Sequence, residues 1–218
     1  MIRTPFDPTY EQLPEVLPIF PLQGALLLPG GQLPLNIFEP RYLNMVQDAL
    51  AGPRLIGMIQ PSAPDEDQGS AAVYRVGCAG RITAFSETGD GRYLITLSGL
   101  IRFQIGEELP LHQGYRRVQT DYRRFRADME DDEGPIDRTA LLEALKRYFE
   151  ANDLQSDWKA IENADNARLV TSLAMVCPFE PSEKQAILEA ESLSERAETM
   201  IAILRLSRSD QEGQGAPH

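Results

Sequence analysis

A chain of 218 residues is long enough for one large domain or two small ones with a proper core. Hydrophobic residues at 42% and charged residues at 25% exclude wholesale disorder. Lys and Arg total 21 against 33 Asp and Glu, and the resulting net charge of −12 repels phosphate backbones and anionic lipid.

The N-terminal stretch MIRTPFDPTYEQLPE has neither the basic start nor the apolar core of a signal peptide, and no apolar run is long enough to span a bilayer. The expected setting is cytoplasmic, with no membrane partner. Four short apolar runs bounded by turn formers then follow as strand candidates: Val16 to Pro21, Ala25 to Leu28, Leu33 to Ile37 and Leu55 to Gln60. Residues 61–72, PSAPDEDQGSAA, read as an acidic mobile loop. Gly89-Asp90-Gly91 predicts a hairpin turn. Before it, Val76 to Ser86 is the partner strand. After it, Tyr93, Ile95, Leu97, Ile101, Phe103 and Ile105 share one face at period two, with Leu94, Thr96, Ser98, Arg102 and Gln104 on a mostly polar opposite face. Gly99 within that register permits a sharp bend, which predicts a small, partly closed barrel.

Composition shifts near residue 126, so the β-rich part is placed at 1–125 and an acidic linker at 126–136. A helical period then takes over through 137–207. Leu141, Leu145 and Tyr148 share one face. Leu169, Val170, Leu173, Val176 and Cys177 share another, and Leu193, Ala197, Met200, Ile201 and Leu204 a third. Capping-box spacings occur at Ser182 with Gln185 and Ser192 with Glu195, and residues 208–218 are expected to form a disordered tail.

Between strand and bundle, LPLNIFEPRYLNMVQDALAG (residues 33–52) predicts a strand running into a helix near 40–51. Pro40 suits the first helical turn, Glu39 the cap, and Phe38 with Leu43 a hydrophobic staple. Tyr42, Val46, Ala49 and Leu50 continue a buried stripe, and Gly52-Pro53 stops the helix.

With these residues in view, LPIFPLQGALLLPGGQLPLNIFEPRYLNMVQDAL (17–50) resembles the opening of the Lon protease N-terminal, substrate-binding domain family. VGCAGRITAF, DGRYLITLSGLIRFQI and PFEPSEKQAILEAESLSERAETMIAIL fit the same family in order, so the resemblance runs from about residue 13 to 206. It implies an α+β fold, a PUA-like β-pseudobarrel followed by a C-terminal helical bundle. It also implies recognition of unfolded or extended polypeptide segments, or of a protease or chaperone partner. The ATPase and Ser-Lys peptidase modules of full-length Lon enzymes have no counterpart expected here: no GxxxxGK[ST] phosphate loop occurs, and residues after 206 are too few.

Catalytic chemistry finds little to build on. His112 and His218 are the two histidines, Cys78 and Cys177 the two cysteines, set in apolar sequence without CxxC spacing. GxSxG and SxxK are missing. No cofactor, metal or enzymatic activity is expected, and Phe38, Arg41 and Tyr42 are the candidate rim of a peptide-binding surface. YRRVQTDYRRFR (115–126) is the competing signal, since arginines interleaved with aromatics can clamp phosphate and stack bases. Against RNA stand the acidic net charge and the alternative that these residues form a charged edge strand. A small-ligand or regulatory sensor is the third reading, and it requires a deep, aromatic-lined pocket.

Overall fold

The computed structural model describes residues 4–63, 71–130 and 134–213, with side chains through residue 206. Two compact units divide the chain at residues 131 and 132. In the first, period-two alternation becomes strands β1 (Val16–Pro21), β2 (Gln32–Ile37), β3 (Leu55–Ile59), β4 (Val76–Glu87), β5 (Tyr93–His112) and β6 (Tyr115–Asp121), with helix α1 (Pro40–Ala51) between β2 and β3. β1 and β3 pair in parallel and the other pairings are antiparallel. The order β5-β4-β3-β1-β6 returns to β5, so five strands close on themselves while β2 lies outside on β5 alone. This is the expected pseudobarrel, with its hydrogen-bonded circuit complete. The loop expected over residues 61–72 begins and ends on a bridge between Pro61 and Val73, and its residues 64–70 lie outside the described ones.

The closure depends on β5 bending. Ala79 faces Ile101 while Gly80 faces Gly99, which leaves Leu100 as an extra residue in the ladder. Such a bulge bends its strand and deepens the local twist. Ala25 to Leu28, expected as a strand, is not one. It crosses the bend instead, burying Leu26, Leu27 and Leu28. The turn that follows it is tied to the bend at the glycines: Gly31 N–H donates to the Leu28 carbonyl at 2.9 Å, Gly30 N–H to the Gly99 carbonyl at 3.0 Å, and Gly99 N–H to the Gly31 carbonyl at 2.9 Å. A Cβ on Gly99 would lie 2.1 Å from the Leu28 carbonyl oxygen. Gly99 therefore serves close approach as well as the bend. Inside the barrel, Phe103 is fully buried and its ring fills the space that a Cβ on Gly77 would occupy, 2.8 Å away.

Two expectations are corrected together. Arg102, placed on the polar face of β5, is 2% exposed, and the linker expected from residue 126 is folded through Met129. Arg123–Met129 forms a 3-10 turn that lays Phe125 and Asp128 over Arg102. The Asp128 carboxylate accepts from Arg102 Nε at 2.9 Å, Nη2 at 2.7 Å and the backbone N–H at 2.9 Å, and the guanidinium carbon sits 4.4 Å from the Phe125 ring centre. A forked cation buried under an aromatic ring needs such a partner.

The second unit is helical: α2 (Arg138–Ala151), α3 (Trp158–Asn163), α4 (Asn166–Val176), α5 (Pro181–Glu189) and α6 (Leu193–Gly213). The apolar stripes of α2 and α6 are buried as predicted. Val176 is not; it is 82% exposed because Leu169, Val170, Leu173 and Ala174 already define the inward face of α4. The capping box of α5 uses Glu180 and Glu183 rather than Ser182 and Gln185, since Pro181 takes the first helical position. Ser192 does cap α6, its hydroxyl accepting from Glu195 N–H at 3.1 Å. The α6 backbone continues past the predicted end at residue 207 to Gly213, and residues 214–218 lie outside the described ones.

Breaking the buried pair by D128A is expected to lower stability by about 3–5 kcal/mol. Replacing both partners, Arg102→Met with Asp128→Leu, is expected to restore most of it, as read from urea unfolding. G99A is expected to lower the melting temperature sharply, whereas G89A, whose Cβ would meet nothing within 4 Å, leaves it nearly unchanged. Equal melting temperatures for the two variants would remove the packing role assigned to Gly99.

Candidate functional site

The junction of β2 and α1 places the residues predicted for the rim. Pro40 opens α1 with Glu39 as its N-cap, but the Glu39 side chain makes no capping bond. It accepts instead from Arg41, Nε and Nη2 each 2.9 Å from Oε2. Tyr42 is only 7% exposed and packs on Phe20 with ring centres 4.3 Å apart, so it belongs to the core and lines no surface. Arg41 lies half-buried over that ring at 4.6 Å. Phe38, one residue beyond β2, stays 61% exposed, with the Arg92 guanidinium 5.8 Å from its ring centre. The structure keeps Phe38 at the surface and does not bring the three together as one rim.

Phe38 follows directly on a strand of a further exposed element. β2, the first half of β5 and the end of β4 form a three-stranded wing outside the closed circuit. Pro34, Thr96 and Ala84 are in register across it, as are Asn36, Leu94 and Ser86, so these six side chains share one face. Leu35, Ile95 and Phe85 share the other. Leu94 is 47% exposed on the first face and Phe85 40% exposed on the second, where it meets Tyr93 edge-on at 5.0 Å. A concavity of about 430 Å³ spreads over the wing, lined by Pro34, Asn36, Ala84, Ser86, Leu94, Thr96 and the strand residues between them. Phe85 is its single aromatic, so it is not the aromatic-lined pocket that a small-ligand sensor requires.

Sequence reasoning missed Phe85 and Leu94. The signal was present: past Ile82 the alternation of β4 lapses, and THR-ALA-PHE-SER-GLU (83–87) sets one aromatic among small and polar residues, all five exposed.

The arginine-aromatic segment is organised for packing. Tyr115, Tyr122 and Phe125 are buried, so none offers a ring for a base to stack on. Arg116 donates to both Glu108 oxygens at 2.6 and 2.8 Å, Arg123 pairs with Asp121 at 2.5 Å, and Arg126 lies 3.8 Å from Glu11. These contacts hold the Glu108 carboxyl below the ordinary range and the Asp121 carboxyl down at about 2. β6 is also no edge strand, since it pairs with β1 on one side and β5 on the other.

His112 stands at the β5–β6 hairpin tip, 3.5 Å from Asp48 on α1. Tyr115 and Gln113 donate to the same carboxylate at 2.7 and 3.0 Å, and Asn44 donates to the Gln113 carbonyl at 3.2 Å. Burial, then the Asp48 hydrogen bond, pushes the Tyr115 phenol up to about 12, so it keeps its proton and works as a strap rather than a base. Both cysteines are buried thiols outside any disulfide, and burial raises the Cys177 thiol to about 11, away from nucleophilic use. Among the described residues no group of three or more His, Cys, Asp or Glu is placed to hold a metal ion, and no helix is long and apolar enough to cross a membrane.

Comparison with known proteins agrees with the fold. The family model for the ATP-dependent protease La (LON) substrate-binding domain matches residues 16–205. Lon protease 2 of Myxococcus xanthus is 29% identical over 206 residues, covering 91% of this chain and 24% of its own length. Lon protease of Flavobacterium johnsoniae is 28% identical over 195 residues, covering 86% and 23%. The chain thus spans about a quarter of the length of the curated relatives it matches. The Lon N-terminal domain protein from Xanthomonas campestris superposes with a TM-score of 0.62 at 24% identity, over 86% of this chain and 97% of that one. The N-terminal domain of Mycobacterium avium complex Lon protease gives 0.61 at 15% identity, over 87% and 98%. These two likenesses speak for the fold alone, whereas the family match covers most of the sequence, and the chain belongs to the LON substrate-binding domain family.

Proposed function

We propose that this chain recognises polypeptide without transforming it, binding unfolded or extended segments as an adaptor in the cytoplasm, alone or beside a protease or chaperone partner. The observation that carries the reading is the wing: Phe38, Phe85 and Leu94 stay exposed on an element that the closed barrel does not need. Leu94 is exposed on one face of the wing and Phe85 on the other, and exposed apolar groups on both faces of a narrow element fit recognition better than a fold requirement. Membership of a family described as substrate-binding supports the same direction. The charge balance and the packing of Tyr115, Tyr122 and Phe125 speak against RNA, and among the described residues Tyr115 and Cys177 are held in their protonated forms. The two buried thiols suit a reducing compartment.

The test is binding of a fluorescein-labelled, reduced and carboxymethylated globular protein, followed by anisotropy at fixed salt, with the same protein in its native fold as competitor. The unfolded probe is expected to bind and to stay intact on prolonged incubation, and the native competitor to leave it in place. F38A, F85A and L94S are each expected to weaken binding about threefold or more. Equal affinity for native and unfolded forms, or cleavage of the probe by the purified chain, would refute the reading.

A further inference from the structure

Among the described residues no strand pairs with either of two margins of the wing, and hydrogen-bond phase separates these margins. Thr88 N–H donates to the Arg92 carbonyl at 2.9 Å, so these two close the hairpin as a bonded pair. Antiparallel ladders alternate, so Ser86 with Leu94 and Ala84 with Thr96 are the next bonded pairs. Phe85 and Glu87 then turn their N–H and C=O groups away from β5. The same alternation sends Tyr93, Ile95 and Leu97 of β5 to β2, bonded to Ile37, Leu35 and Leu33. Gln32, Pro34 and Asn36 are therefore the outward residues of β2. That margin is interrupted in the middle, because Pro34 has no N–H to offer.

The β4 margin has no such block. β3 covers it only as far as Ile82, through Leu55 opposite Arg81 and Ile82 N–H donating to Arg54 at 2.8 Å. Beyond Ile82 no strand among the described residues pairs with it on that side. Thr83 is the extra residue of a second bulge, its hydroxyl donating to the Thr96 carbonyl at 3.2 Å. Ala84 to Glu87 continue as a regular exposed stretch.

We propose that β4 from Ala84 to Glu87 is a strand-addition edge, which captures extended, alternately apolar segments of unfolded polypeptide by main-chain hydrogen bonding to Phe85 and Glu87. The inference rests on the polypeptide-binding reading and assigns it a place. The Glu87 carbonyl accepts a long bond from the Ser86 hydroxyl at 3.5 Å, which leaves its second lone pair and the outward groups of Phe85 for an occupant. Backbone donors and acceptors in ladder phase specify that occupant, since another extended main chain answers them at the same spacing. Side-chain preference follows from the faces. Residues of the added strand opposite Phe85 and Glu87 lie on the side of the Phe85–Tyr93 aromatic pair. Their neighbours fall beside Ala84 and Ser86, whose small side chains leave room for large apolar groups over the concavity that Leu94 and Pro34 line. A proline in the paired register of the occupant is excluded.

The probe is a fluorescein-labelled peptide with alternating Phe and Ser between terminal lysines, presented to the whole chain. Two further peptides carry N-methyl groups on alternate amides, one in each phase. Wild-type protein is expected to lose tenfold or more affinity for one methylated phase and less than twofold for the other. F85P removes an outward N–H without touching the β5 ladder and is expected to bind the parent peptide at least threefold more weakly than F85A, at an unchanged circular dichroism spectrum. Equal tolerance of both methylated phases while the parent peptide and the unfolded protein still bind would overturn strand addition and leave polypeptide recognition standing. If neither probe binds wild-type protein, both readings fall. Light scattering at the assay concentration separates a second copy as occupant: a dimer that F85P dissociates would assign the edge to self-association and overturn the proposal. The methylated peptides decide the matter with wild-type protein even if F85P fails to fold.

Discussion

One strand has to serve three partners. β5 takes β2 and β4 on its two sides in the first half, then gives up β2, bends at Gly99 and Leu100, and closes on β6 in the second. Without the bend the first and last parts of the sheet have no way to meet, and the barrel remains an open, twisted layer. The bend also creates a demand. The chain from Leu26 to Gly31 must run close against the backbone of β5, near enough for its glycines to exchange hydrogen bonds there. The residues 25–28 are apolar for burial at this crossing and not because they pair in a sheet.

Closing the circuit pairs each barrel strand on both sides along part of its length, while the ends of β4 and β5 overhang into the wing. This is where fold and function connect. A closed barrel is a stable platform with nothing to offer an extended partner, while a wing built from the overhang of β4 and β5 can be shaped without loss to the core. Phe85 and Leu94 sit on that overhang and Phe38 just past the end of β2, while Phe103 and the Arg102–Asp128 pair are buried. The arginine-aromatic segment shows the opposite use of similar residues. There the rings go inward, Arg116 and Arg123 find carboxylates and Arg124 lies over the Phe125 ring, which turns an apparent nucleic-acid signature into cladding for the barrel wall.

Much of the fold was legible in the sequence because its elements announce themselves locally. The hairpin at Gly89-Asp90-Gly91, the Pro40 helix start and the stripe of α6 each depend on residues within a few positions of one another. What escaped was set by distant neighbours. Arg102 alternates into a polar register, and only the return of Asp128, 26 residues later, makes its burial tolerable. Tyr42 looked like a rim residue until Phe20 was seen against it. Val176 looked buried by spacing, yet the inward face of α4 was already filled. Of the candidate site, Phe38 was visible as an apolar residue at a junction. Phe85 was not, because its meaning lies in which of its backbone groups β5 leaves unused.

The brevity of the free margin on β4 has a kinetic consequence. Two outward residues, each with one donor and one acceptor, give an incoming strand about four bonds, worth about 1 kcal/mol each after exchange with water. Such a ladder holds its occupant at roughly millimolar strength by itself, and apolar contacts must add the remainder. Capture as proposed would be brief, with apolar side chains deciding which segments stay longer. On the proposed function, so short a hold would suit a relay point rather than a permanent subunit.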